Sequence, residues 1–341
     1  MAPPPTIIER EAPAVVSPTH TRTQRSRLPS ALRFPMLVVL NMGINALLRE
    51  YTQNYLEPEL GAISKIPTVE EDVLSVYSAP ARGLMRVVTV WMTWYLNYDF
   101  LDVAALTVLT QAPYFYLLST YYEISTVTVA AHLNIDVLSF AIPTYLLRPR
   151  SIVHKRDAPL HNRYLLNSVQ VQVSSAILAT GVYVVALWAG LKTGVLNAFL
   201  IRYFDVISVE YSYLETPVSA AAKVFALGFA VKEFLLNPSI AAEPPKGAES
   251  PTEKFDAAVA TLPQTVKHNV WYFDRRTRTL IIQTLILNAF VFGTTVQKAM
   301  TLNGTDIYGA AGYAGLWVMA NTVIALWFGW IGDTSADYEP L

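Results

Sequence analysis

Runs of about twenty mostly apolar residues recur from one end of this chain to the other, and nothing else in the sequence constrains the fold as strongly. A bilayer core about 30 Å thick, at 1.5 Å of rise per residue, needs about 20 apolar residues per crossing. Lipid offers the backbone no hydrogen bonds, so a crossing segment must be a helix or part of a closed barrel. Runs of this length favour the helix. The candidate spans are 31–48, 83–98, 101–122, 124–147, 168–190, 217–236, 279–298 and 309–331. Composition agrees: the chain is 53% hydrophobic and 15% charged, against about 25% charged in soluble domains. The expected fold is therefore all-α, a polytopic transmembrane helix bundle of about eight spans plus one amphipathic helix.

The amphipathic element is expected at 194–213. Asn197, Asp205, Ser208 and Ser212 cluster there at helical spacing beside Arg202, the pattern of a helix lying at an interface or lining a polar cavity. Residues 1–30, rich in Pro, Ser, Thr and Arg, are expected to be a disordered cytosolic tail, with the first span serving as the insertion signal. The membrane bundle is expected over 31–236 and two C-terminal spans over 279–331. Between them, 237–278 reads as a flexible cytosolic loop whose Trp271, Tyr272 and Phe273 suit the headgroup layer. Residues 332–341 form a short cytosolic tail.

Charge asymmetry sets the expected orientation. The N-terminal tail, 148–163 and Arg275–Arg278 are basic, whereas 49–82 carries six acids and three bases. Basic flanks stay cytosolic, so eight spans place both termini in the cytosol. The sequon Asn303-Gly304-Thr305 then faces the lumen, where Asn303 is a candidate glycosylation site.

Ionisable groups deep in a membrane cost roughly 2.5–3.5 kcal/mol on insertion scales, so the few present are the first candidates for chemistry. Ser125, Thr128, His132, Asp136, Ser139 and Pro143 share one stripe of the fourth span. His132 and Asp136 are one turn apart. They read either as a proton-handling pair, with His132 the base, or as an inter-helix clamp. Thr107, Thr110, Gln111, Tyr114 and Tyr121 form a facing stripe on the preceding span. With Thr128 they offer a polar binding surface. Arg202 and Asp205, three apart, are candidate headgroup ligands. Asn97, Asp99 and Asp102 make a small acidic cluster that could hold Mg²⁺, although an Asp there also serves as an N-cap. No metal site or cofactor is assigned. The small residues of 309–315 read as a packing face for another helix or a protein partner.

Absences exclude several classes. There is no cysteine, hence no disulfide, zinc–thiolate site or cysteine nucleophile. HExxH, P-loop and GxSxG motifs are missing. A net charge of −1 gives no case for nucleic acid. What remains is a protein whose partner is the lipid bilayer, working as a binding, accessory or lipid-handling component of secretory-pathway membranes, the endoplasmic reticulum first among them. Two alternatives stay open: an intramembrane lipid-modifying enzyme centred on His132 and Asp136, or a small-solute or proton-coupled transporter.

Overall fold

A computed structural model describes residues 29–65, 79–155, 168–242, 261–262 and 275–331. The tails expected over 1–28 and 332–341, most of the 237–278 loop and its aromatic triplet lie outside the described residues.

Ten α-helices and one 3₁₀ turn account for nearly all of it, and no β-strand occurs among the described residues. The protein is an all-α helical membrane bundle. Six helices hold a stretch long and apolar enough to cross a membrane, within α1 (Ser30–Ile63), α3 (Phe100–Tyr121), α4 (Thr126–Leu147), α5 (Val169–Lys192), α9 (Arg275–Ala299) and α10 (Ile307–Ile331). Two further helices, α2 (Ala79–Tyr95) and α8 (Pro217–Leu236), complete the bundle. The first is short, and the second carries Lys223, Lys232 and Glu233.

Hydrogen bonds between elements show that these eight helices alternate in direction. On α1, Asn41 Nδ2 donates to the Ser139 carbonyl at 2.8 Å, and further along Glu59 accepts from the Ser125 amide at 3.1 Å. So α1 and α4 are antiparallel. Lys223, early in α8, donates to Thr120 at the end of α3, while Ser239, just past α8, donates to Asp102 at the start of α3. α8 therefore runs the full length of α3. The turn between α9 and α10 is pinned to the end of α1, where the Asn303 amide donates to the Ile63 carbonyl at 3.0 Å. One face of the bundle thus carries the start of α1, the α2–α3 turn and the end of α4; the opposite face carries the end of α1 and the α9–α10 turn. We call these the near and far faces.

Packing follows from side-chain size and polarity. α3 is buried around nearly its whole circumference, as expected of a helix apolar on all sides. α5 and α8 approach most closely at Gly228, where a built Cβ would sit 2.2 Å from Thr180 Oγ1 and 2.3 Å from the Ala176 carbonyl oxygen. Only a glycine permits that contact. Helix starts follow local rules: Asp99 caps α3, Ser125 caps α4, and Thr216 caps α8 with Pro217 in the first turn.

Two expectations need correction. The first helix does not stop at 48 but continues through Ile63, because 49–63 is rich in Leu, Glu, Gln, Ala and Arg, all good helix formers. Residues 194–213 are not one helix. They divide into α6 (Val195–Tyr203) and α7 (Glu210–Leu214), separated by Asp205-Val206-Ile207-Ser208-Val209, whose β-branched and short polar side chains disfavour helix. Neither piece is long enough to cross a membrane. The 309–315 packing face receives a helix from within the chain at Gly309 and Gly312, whereas nothing lies within 4 Å of a Cβ added at Gly315. A Cβ on Gly309 would meet Tyr203 Cβ at 2.4 Å and one on Gly312 would meet Phe199 Cζ at 2.5 Å. The helix that the small residues receive is α6.

Candidate functional site

The predicted stripe on α4 does turn inward: Thr128, His132, Asp136, Ser139 and Pro143 are all buried. Asp136 is not joined to His132 by any hydrogen bond among the described residues. Instead its carboxylate collects three cations from three other helices. Lys298 Nζ of α9 stands 3.1 Å from Oδ2; Arg49 Nη2 of α1 and Arg86 Nη1 of α2 stand 3.4 and 3.5 Å from Oδ1. The reason is electrostatic. A full positive charge outbids a neutral imidazole for a carboxylate in a low-dielectric interior. His132 is left with Nε2 buried and unpartnered. The expected base–carboxylate pair is thus replaced by an ion cluster.

Arg86 is held from several sides. Its Nε donates to Asn41 Oδ1 at 2.6 Å, its Nη2 donates to Ser139 Oγ, and its guanidinium lies 4.5 Å from the Phe140 ring centroid. Lys298 lies over the rings of Tyr114 and Phe115, at 5.4 and 5.3 Å. Tyr114 therefore belongs to the cluster's wall.

The cluster borders an open-sided cavity of about 410 Å³ lined by α1, α2, α3, α4 and α9. One wall is α2, presenting Arg82, Arg86, Thr89 and Thr93; the wall opposite is α3, presenting Thr107, Thr110 and Gln111. From Arg82 to Thr93 this is about 16 Å of helix. Four cations (Arg49, Arg82, Arg86 and Lys298) and one anion, Asp136, line the cavity, a formal surplus of three positive charges. Arg49 is the most open of Asp136's partners, its side chain 41% exposed.

The predicted site residues thus separate. Thr107, Gln111, Tyr114 and Asp136 come together at this cavity. Thr128 sits in the first turn of α4, where its hydroxyl accepts a hydrogen bond from Ser125. Arg202 and Asp205 are both exposed near the far face, and no ion pair joins them among the described residues. Asn303 is exposed in the α9–α10 turn, but Thr305 of the same sequon is buried. Gly304 between them is left-handed, with φ +66°. Arg49, Arg82, Arg86 and Lys298 were missed. A signal existed: Arg82, Arg86, Thr89 and Thr93 repeat at helical spacing, as do Asn41, Asn45 and Arg49.

A second polar centre lies at the near face. Asp99 Oδ1 accepts from the amides of Leu101 and Asp102, capping α3, while Oδ2 accepts from the Ser151 amide at 3.1 Å and contacts His154 Nδ1 at 2.6 Å. Burial pushes the Asp99 carboxyl up, but the His154 bond and charge outweigh it and hold the group below its ordinary value. His154 shows the converse: burial lowers it, and the Asp99 bond and Asp102 charge raise it overall. Beside them, Arg148 donates to the carbonyls of Thr93, Trp94 and Tyr98 at 2.7–3.2 Å, closing the end of α2.

No protein-family model, curated protein or solved structure matches this chain. Function must therefore be argued from the two polar centres alone.

Proposed function

We propose that this membrane protein binds the anionic headgroup of an amphiphile in the cavity between α1, α2, α3, α4 and α9, as a lipid-handling component of its membrane. The single observation that carries this is the unbalanced charge. One cation suffices to neutralise Asp136, yet three reach it and a fourth lines the same space. Arg86 and Lys298 are 15% and 21% exposed, so one charge more than Asp136 can balance is held largely away from water, at a cost of several kcal/mol that packing alone does not explain; Arg49 and Arg82 are open to solvent. A phosphate or carboxylate seated among Arg49, Arg82, Arg86 and Lys298 would neutralise the surplus, with the arginines offering paired donors. Leu106, Phe140 and Phe290 also line the space, which suits the apolar part of a lipid.

The test is lipid analysis of protein purified in mild detergent from membranes of known composition. Phosphatidic acid or phosphatidylserine should be retained over phosphatidylcholine, and Arg82→Gln should reduce that preference several-fold with the fold intact. Retention without regard to headgroup charge would overturn the reading.

Our topological proposal is eight crossings with both termini cytosolic, supported by the alternation of the eight long helices and the basic near-face segments. Since the chain has no cysteine, single cysteines report sidedness directly. Asn303→Cys should be labelled only from the lumenal side and Arg150→Cys only from the cytosolic side; labelling of both from one side would overturn it. The endoplasmic reticulum is the membrane proposed, and co-fractionation with that membrane tests it.

A further inference from the structure

We infer that the near-face centre is a binding site for a divalent cation of the zinc class, with His154 and Asp102 as ligands and Asp99 as the carboxylate that orients the histidine. Asp99 is fully committed: two helix amides occupy Oδ1, and the Ser151 amide and His154 Nδ1 occupy Oδ2. It therefore holds the imidazole with Nδ1 as donor, which leaves Nε2 as the nitrogen free to bind. Nε2 is buried and has no hydrogen-bond partner, and Asp102 Oδ1, 4.0 Å away, is likewise buried and unpartnered. Asp102 is 1% exposed and His154 is 8% exposed. Its other oxygen is fixed by the Ser239 amide at 3.0 Å.

With the imidazole neutral these are two buried acceptors facing each other across 4.0 Å, too far apart for a hydrogen bond; protonated, Nε2 would donate toward the carboxylate, and a bound cation takes that proton's place. A zinc ion bonded to both at about 2.1 Å would draw them together to about 3.4 Å at a tetrahedral angle, a small adjustment from 4.0 Å. The donor set fits as well. Imidazole selects zinc-like ions over magnesium, and a histidine whose second nitrogen is bound to a carboxylate is the usual support for a metal ligand. Donor atoms of Asp99, Asp102 and His154 all lie within 4.8 Å of one another. Charge agrees too: with both carboxylates ionised and the imidazole neutral the trio carries −2, which a divalent ion cancels, releasing the proton that the carboxylates otherwise draw onto His154. The ligands come from α3 and from the segment after α4, and Ser239 follows α8. The ion would thus tie three parts of the near face together. This inference is independent of the cavity reading, since it uses no residue of that site.

The test uses the full untagged chain in detergent. After exposure to Zn²⁺ and desalting, elemental analysis should give one zinc per chain. His154→Gln and Asp102→Asn should each reduce it to background, and Asp99→Asn should weaken binding about 10–100-fold. A melting temperature that rises with Zn²⁺ only in the parent protein would accompany this. Should the variants fail to fold, Co²⁺ titration of the parent decides: visible absorption bands, displaced by one equivalent of Zn²⁺, support the site. No stoichiometric zinc and no cobalt bands in the folded parent, or zinc kept by both His154→Gln and Asp102→Asn, would overturn it.

Discussion

Replacing Asp136 by Asn separates the roles this residue could play, because stability and ligand binding should move in opposite directions. The carboxylate is 3% exposed and faces Lys298, Arg49 and Arg86 at 3.1–3.5 Å. At an effective dielectric near 20, each such contact is worth on the order of 5 kcal/mol before desolvation is charged against it. Removing one partner of a buried pair costs about 3–5 kcal/mol net, because the other charge stays behind. Arg49 should be discounted, since at 41% exposure it behaves as a surface ion worth about 0–1 kcal/mol. Lys298 and Arg86, at 21% and 15%, remain. The expected loss is therefore about 3 kcal/mol, a fall in melting temperature of roughly 5 °C for a chain of this length. Adding Lys298→Met, which removes the orphaned charge, should recover about 1 kcal/mol or more. Retained anionic lipid should not fall in Asp136→Asn, since the cavity's surplus rises by one positive charge. Thermal melting in detergent and lipid analysis of the same samples measure both arms. A variant that melts within about 1 °C of the parent would refute the ion-cluster argument. So would a double variant that loses the sum of the two single losses. Loss of anionic lipid from a folded Asp136→Asn protein would refute the charge-surplus reading instead.

Gly228→Val should destabilise by about 3 kcal/mol or more, because the new side chain meets a backbone carbonyl that cannot yield. Gly315→Ala is its control: no heavy atom lies within 4 Å of the added Cβ, so melting should hold or rise by up to about 1 kcal/mol of helix propensity. Tyr98→Phe removes the 2.6 Å bond to Gln283 Oε1 and leaves that buried amide without a donor. The expected cost is about 1–3 kcal/mol, read as a lowered melting temperature with retained zinc and lipid.

Helix positions were legible because lipid imposes a length on every crossing, and α3, α4, α5, α9 and α10 fall close to where the apolar runs predict. The caps at Asp99, Ser125 and Thr216 were equally local. The extension of α1 was not legible, because residues 49–63 are polar and charged like a loop and carry Pro58 and Gly61, while their Glu, Leu, Arg, Gln and Ala favour helix. The ion cluster was missed for a different reason. Asp136 and Lys298 are 162 residues apart, and Lys298 sits at the edge of an apolar run, where a long side chain is ordinarily expected to reach outward. Nothing local says that it turns in. His154 is a similar case, since a histidine in a basic loop gives no sign that it lies against Asp99.

Polar residues within the bundle divide into two kinds, and the division is what gives the two sites their weight. Tyr98–Gln283 ties the α2–α3 turn to α9, and Tyr121–Asn197 and Tyr183–Asn321 each join two helices, by one neutral hydrogen bond of 2.6–2.7 Å apiece. Contacts of that kind are cheap to bury and are worth about 0.6 kcal/mol apiece as helix clamps. They suffice to fix which helix faces which. The charged residues do something else: Arg49, Arg82, Arg86 and Lys298 outnumber the single carboxylate they surround, and Asp102 and His154 face each other with lone pairs unsatisfied. Clamping alone does not explain three cations gathered on one carboxylate, or a buried imidazole nitrogen and carboxylate oxygen held 4.0 Å apart without a hydrogen bond. Each arrangement becomes favourable once an ion of opposite sign is added, an anion at the first centre and a cation at the second.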